Sequence, residues 1–269
     1  MFPNLLLGLI CLLLGASPVL ADAQSAFDQA NRQYAAADYA GAASAYERAL
    51  SAGGARASVF YNLGNSYQRL GQYGHAILSY ERARLLTPRD PDLLANLALA
   101  RKAAAAFEEP GPNPRLDAAL NTLSRAEWSA LVVGSALFLG VLCVGCGIAG
   151  LPRGAFRQWT MVAAAMATFL LTGGATALYQ RRDEAKRAVI LTDSASIRLS
   201  PFENAEVVLT PGLGRTVLMG NRHGDFYYVT VPGVAQSGWL AAKDVAAIES
   251  DIAQATNDEP HSNITSVVR

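Results

Sequence analysis

Tyr39-Ala40-Gly41-Ala42 and Tyr73-Gly74-His75-Ala76 are one phrase written twice, 34 residues apart. Ala45-Tyr46-Glu47-Arg48-Ala49 and Ser79-Tyr80-Glu81-Arg82-Ala83 repeat at the same interval, as do Asn31 and Asn65, and Asn62-Leu63 and Asn96-Leu97. A fixed period of this length means one supersecondary unit used repeatedly, each burying its apolar face against its neighbour. Small residues recur at Ala42/Ala76 and Ala49/Ala83, where two antiparallel helices must approach closely. The Tyr46 and Tyr80 rings then fill the space between units.

In the second unit, Asn62-Leu63-Gly64-Asn65-Ser66-Tyr67, Gly71, Ala76, Tyr80, Ala83 and Pro88 form a pattern that resembles a tetratricopeptide repeat. The first unit departs from it in having Ala30 where glycine is usual. Residues Asp92 to Phe107 resemble a third first-helix, used as a cap. The expectation is an α-helical solenoid over 22–108 with a shallow groove lined by the first helix of each unit. Asn31, Tyr34, Asn65, Gln68 and Arg69 are the partner-binding candidates on that face. An asparagine there can bond a partner's backbone or satisfy a local polar group, and both readings stand for Asn31 and Asn65. A clamp for a terminal carboxylate needs Lys or Arg on the third first-helix. Asp92 and Asn96 stand there instead, so that ligand is not expected.

Beyond the repeats the chain is oily. Of its 269 residues 51% are apolar and 16% charged, with 22 basic and 22 acidic side chains. That balance excludes a wholly disordered chain and gives no electrostatic case for binding nucleic acid. The apolar excess sits in three blocks. Leu5 to Leu20, ending in Val19-Leu20-Ala21, reads as a signal peptide over 1–21 with cleavage after Ala21. No Lys or Arg precedes it, so an uncleaved anchor is the alternative. Trp128–Gly150 and Trp159–Tyr179 carry no charge, and each is long enough to cross about 30 Å of hydrocarbon. Trp128, Trp159 and Tyr179 stand at their ends, where such rings favour the headgroup layer. Ser124-Arg125-Ala126-Glu127 is a capping-box pattern.

Only Leu151 to Gln158 separates the two blocks, so 127–180 is predicted as a transmembrane hairpin that returns the chain to its starting side. Arg153 and Arg157 in the short loop suit a cytoplasmic position. Arg181, Arg182, Lys186 and Arg187 beyond the second span pull the other way. The signal peptide decides for a two-pass protein of the bacterial inner membrane, with both soluble parts periplasmic.

Glu108 to Pro114 holds three prolines and a glycine, which end a helix. Residues 109–126 are therefore a linker, with a short amphipathic helix over Leu116–Leu123. From 188 to 248 the pattern changes to short apolar runs punctuated by Gly, Pro, Asn and Asp, which reads as a small all-β barrel. Ser196-Ile197-Arg198-Leu199-Ser200-Pro201, Gly212, Tyr227-Tyr228-Val229, Gly233 and Gly238-Trp239-Leu240 come in an order that resembles bacterial SH3-like domains. Arg198, Tyr228 and Trp239 are the candidate ligand face. The two aromatic rings could equally serve as core. Arg198 could meet a ligand carboxylate or form a buried pair. Residues 249–269 read as a mobile tail, and the Asn263-Ile264-Thr265 sequon within it carries no weight.

No phosphate-binding loop, metal-ligand spacing or nucleophile pattern is present, so no catalytic residue, metal or cofactor is expected. His75, His223 and His261 have no partners at ligand spacing. Cys11 lacks the small residues before it that a lipoprotein site needs. Cys143 and Cys146 form a C-x-x-C inside the first span. A redox pair is conceivable, and packing in a helix interface rich in Gly134, Gly140, Gly145 and Gly147 is the favoured reading.

The order of signal peptide, repeats, membrane hairpin and SH3-like domain resembles the BatE family, named for Bacteroides aerotolerance. The resemblance implies a non-enzymatic scaffold linked to envelope stress tolerance. It implies partners among von Willebrand A-domain membrane proteins of the same operon. The alternative is a module that binds or senses peptidoglycan peptides through the SH3-like domain.

Overall fold

The computed structural model describes residues 18–53, 55–106, 116, 119–120, 122–149, 154–234 and 236–249. Most of the expected signal peptide, most of the linker, nearly all of the tail, and Cys11, His261 and Asn263 lie outside the described residues. The chain divides into two compact units. One joins residues 1–86, 90–109 and 186–269; the other joins 87–89 and 110–185.

The first unit opens with five helices: α1 Pro18–Ala35, α2 Tyr39–Ser51, α3 Ala57–Arg69, α4 Tyr73–Leu86 and α5 Pro91–Ala103. The expected cleavage point, Ala21–Asp22, falls within α1. The 34-residue period is built into the turns. Ala37, Gly71 and Ala105 all have positive φ, at 60°, 73° and 51°. After each, the next amide reaches back five residues: Asp38 to Gln33, Gln72 to Tyr67 and Ala106 to Arg101, each at 2.9 Å. This is the Schellman ending, in which a left-handed residue satisfies the last helical carbonyls. α5 is therefore the first helix of a third unit, as its sequence suggested. Asp38 then caps α2 by accepting from Gly41, and Asp90 caps α5 by accepting from Asp92 and Leu93 with Pro91 in the first turn.

A seven-stranded antiparallel sheet follows, in the order β3-β2-β6-β5-β4-β1-β7. Its strands are β1 Arg187–Ile190, β2 Ile197–Arg198, β3 Val207–Leu209, β4 Thr216–His223, β5 Phe226–Thr230, β6 Ser237–Ala241 and β7 Val245–Ala247. Ala188, Ile190, Ile197, Val217, Val229 and Leu240 form its own core. The sheet does not stand apart from the repeats. β1 alternates as a strand must, and Val189, on its other face, joins Phe60, Ile77, Leu93, Leu97 and Ala100 of the helices, together with Ile248. α4 is consequently buried on every side, from Ala76 through Ala83 without a break. Gly74 lets it come close: a Cβ there would lie 2.8 Å from Leu213 Cδ1 and 3.0 Å from the carbonyl oxygen of Leu191.

The second unit is a helical hairpin of α6 Arg125–Ala149 and α7 Ala155–Gln180. The capping box forms as written: Ser124 N donates to Glu127 Oε2 at 2.7 Å, and Glu127 N to Ser124 Oγ at 3.2 Å. The helices run antiparallel, with Gly174 of α7 against Trp128, Leu131 and Val132 of α6. The expected glycine interface is corrected here. A Cβ added to Gly134, Gly140, Gly145 or Gly147 would meet nothing within 4 Å, and Cys143 is exposed. These residues face outward, because α6 turns its Trp128–Leu131–Val132 side to α7. Both helices are long and apolar enough to cross a membrane. At the end of α7 the buried Arg181 donates to the carbonyls of Leu120 and Leu123 and to Glu184.

Candidate functional site

The repeated asparagines and tyrosines are brought together as two matching triads. In the first, Tyr46 Oη donates to Asn31 Oδ1 at 2.7 Å, and Asn62 Nδ2 approaches the same oxygen at 3.4 Å. In the second, Tyr80 Oη donates to Asn65 Oδ1 at 2.8 Å, and Asn96 Nδ2 to that oxygen at 3.1 Å. Every member of one triad has its counterpart 34 residues away in the other. Each triad ties the two helices of its own unit to the first helix of the next. Tyr46 and Tyr80 are almost wholly buried, and burial pushes the Tyr46 hydroxyl up to about 12. A buried hydroxyl without a partner would cost about 1–3 kcal/mol, which is why the asparagine oxygens stand where they do.

The candidate groove residues therefore fall into two sets. Asn31 and Asn65 have their Oδ1 atoms engaged by two protein donors each. Gln68 joins the second triad, with its Oε1 2.8 Å from Tyr80 Oη, whose single proton serves Asn65 or Gln68 in turn. Tyr34 and Arg69 form a second cluster around Tyr39. The Tyr34 and Tyr39 rings meet edge to face at 5.2 Å, and the exposed Arg69 guanidinium lies 5.9 Å over Tyr39. Tyr61, Asn62 and Asn96 belong to this polar line but were not among the sequence candidates. Asn96 Nδ2 also donates to Tyr61 Oη at 2.9 Å. The signal that could have found Asn62 and Asn96 is the 34-residue interval they share with the rest.

Behind the line sits a third cluster. Tyr67 donates to Glu47, and the His75 ring lies 5.1 Å from the Tyr67 ring. Burial holds His75 below the usual imidazole range, partly offset by Glu47. His75 and Tyr67 thus meet as a packed pair.

On the sheet, Arg198, Trp239 and Tyr228 stand in register on three adjacent strands, β2, β6 and β5. Tyr228 meets Trp239 edge to face at 5.4 Å, and the His223 ring does so at 6.1 Å. Tyr228 is 41% exposed, and Leu199 and Phe202 nearby are exposed as well. Trp239 is half-buried. Arg198 Nη1 donates to the Ala205 carbonyl at 2.9 Å, so it holds the β2–β3 loop that presents Phe202. Among the described residues no group of three metal-binding side chains forms.

A comparison of the chain with curated proteins finds no match. Residues 57–90, which contain α3 and α4, match the tetratricopeptide repeat family model. The helical repeats are consistent with that match. The chain thus carries a segment similar to a tetratricopeptide repeat, a module of protein–protein interaction that is typically non-enzymatic.

Proposed function

We propose that the protein is a membrane-anchored, non-enzymatic scaffold whose repeat groove docks a protein partner at the periplasmic face of a bacterial inner membrane. The observation that carries the anchor is the surface of the hairpin. Among the described residues of the two helices only Ser135 of α6 and Ala167, Gly174 and Ala177 of α7 are buried. The core helix of a soluble protein would be mostly buried, whereas these helices turn Val133, Leu137, Val141, Phe156, Trp159 and Phe169 outward. A second observation supports two crossings. α4 precedes the hairpin in sequence and β1 follows it, yet they share one core, so both must lie on one side of the membrane. The leader over residues 1–21 supports export of that side.

By its order of parts the chain is read as BatE-like, with an SH3-like C-terminal module and partners among von Willebrand A-domain membrane proteins. The test is affinity purification of the tagged full-length protein from native membranes in mild detergent, beside Arg69→Glu. Asn31 and Asn65 are unsuited as probes because they hold the repeat together. The scaffold reading expects membrane proteins with von Willebrand A domains to co-purify, and to fall at least tenfold with Arg69→Glu. Equal recovery with both proteins would place the docking surface elsewhere.

A second reading, binding of peptidoglycan peptides, is favoured by the row of Arg198, Trp239 and Tyr228, in which Tyr228 is exposed and the other two are half-buried. Recovery of wall fragments without a protein partner, lost on Tyr228→Ala, would make the sheet the functional centre.

A further inference from the structure

The first two units of the repeat array have two helices each. Among the described residues the third has one, α5, and the face that a second helix would cover is taken by strands. β1 and β7 reach both helices that such a helix would touch. Val189 and Ile248 enter the core with Ile77 and Ala83 of α4 and with Leu93, Leu97 and Ala100 of α5. Polar contacts close the same seam. Glu81 is 0% exposed and receives Arg84 from its own helix at 2.7 Å, Arg101 from α5 at 2.5 Å and Arg187 from β1 at 3.9 Å. Arg82 donates to the carbonyls of Ala247 and Ile248, at the end of β7, and lies 6.0 Å from the Phe60 ring.

The partner residues say why this matters beyond stability. Tyr80 and Glu81 are consecutive. Tyr80 enters the triad that contains Asn65 and Asn96, on the line of groove residues. Glu81 enters the seam. Asn96 and Arg101 both belong to α5, so one helix is tied to Asn65 of α3 by the first and to Glu81 of α4, the residue that Arg187 of β1 also reaches, by the second.

We propose that the C-terminal sheet is the closing member of the repeat array, standing where the third unit's second helix would be, and that through Glu81 it fixes α5 and with it the shape of the groove. The sheet is then a structural part of the docking module, whatever its outer face binds. Glu81, Arg82 and Arg187 are positioning residues. This inference does not rest on the identity of the partner.

The test uses the full-length protein in detergent with a C-terminal tag and a protease site inserted between Gly111 and Pro112. After cutting, the repeat fragment should remain with the tagged fragment in the otherwise unaltered chain and leave it in the Arg82→Ala/Arg187→Ala protein. Hydrogen exchange on the uncut double variant separates a local from a global effect. α5 amides should exchange at least tenfold faster while β5 and β6 amides keep their protection. Release from the unaltered seam, equal retention in the double variant, or unchanged exchange in α5 would each overturn the proposal. If the double variant fails to fold, Arg187→Lys supplies the same comparison, because it keeps the charge and loses the guanidinium fork.

Discussion

The guanidinium of Arg82 meets the carbonyl of Ala247 at 2.9 Å across 165 residues of sequence. Its counterpart one repeat earlier, Arg48, is exposed and reaches only Gln29 on the neighbouring helix, at 3.3 Å. The same Tyr-Glu-Arg-Ala phrase is thus solvated in the first unit and enclosed in the second. The difference lies in what covers α4, and several outcomes follow from it and from the repeat geometry.

The three left-handed turns differ in cost. An L side chain in this region costs about 1–2 kcal/mol, and glycine does not bear that cost. Ala37→Gly and Ala105→Gly should each stabilise the protein by about 0.5–1 kcal/mol, after the extra flexibility of the unfolded chain is subtracted. Gly71→Ala should destabilise it by a similar amount. Urea unfolding of the three variants would read these signs directly.

Gly64 packs under the Tyr80 ring. A Cβ there would lie 2.6 Å from two ring carbons, and the ring is held by its hydroxyl. Gly64→Ala should therefore cost about 1–3 kcal/mol through overpacking. Tyr80→Phe should cost about 1 kcal/mol, since it removes the donor and leaves the ring. A Gly64→Ala protein as stable as the parent would show that the ring can move.

Stability should fall in acid over a defined range. Burial raises the Glu81 pKa, but Arg84, Arg187 and Arg101 outweigh it and hold the carboxyl down at about 2. A depressed folded-state value contributes stability above the unfolded value, near 4.5, that is lost as pH falls toward 2. The expected loss is roughly 3 kcal/mol over that window. Glu81→Gln should remove most of this acid dependence and also weaken the protein at pH 7, because three arginines lose their anion. Midpoints of urea unfolding at pH 7, 4.5 and 3 for both proteins would test it.

In the hairpin, Gly174→Val should separate α6 from α7, since a Cβ there already meets Val132 Cγ2 at 2.7 Å. Gly140→Val should be tolerated, because its Cβ would point into open space. Thermal unfolding in detergent should drop for the first variant and stay within a degree or two for the second. The opposite order would place the helix interface on the wrong face.

The parts that the sequence declared were those written in local chemistry. The 34-residue period gave the repeat, and Ser124 with Glu127 gave the start of α6. Val207-Val208-Leu209 and Thr216-Val217-Leu218-Met219 became strands because alternation and flanking turns are local signals. The seam was not legible in that way, since Glu81-Arg82 and Glu47-Arg48 are the same dipeptide and only tertiary contact tells them apart. One trace did exist. Val189-Ile190-Leu191 is a continuous apolar run, as suits a strand covered on both faces. The α6 glycines misled because composition alone cannot say which side of a helix meets its neighbour. Asn31 and Asn65 were ambiguous for a related reason. A polar residue on a first helix can face a partner or a buried tyrosine, and its spacing is the same in both cases.

The junction between α4 and the last strand also sets an order of events during synthesis. A ribosome that has finished Arg82 must still make both hydrophobic helices and the whole sheet before the residues that cover that arginine exist. Through that interval the outer side of α4 is an unfinished surface with a buried-type charge on it, and loop closure over so long a span is slow. Truncation anywhere before Val245 would leave it permanently unfinished, so a shortened chain would be marked for holding or degradation by the feature that completes the intact one.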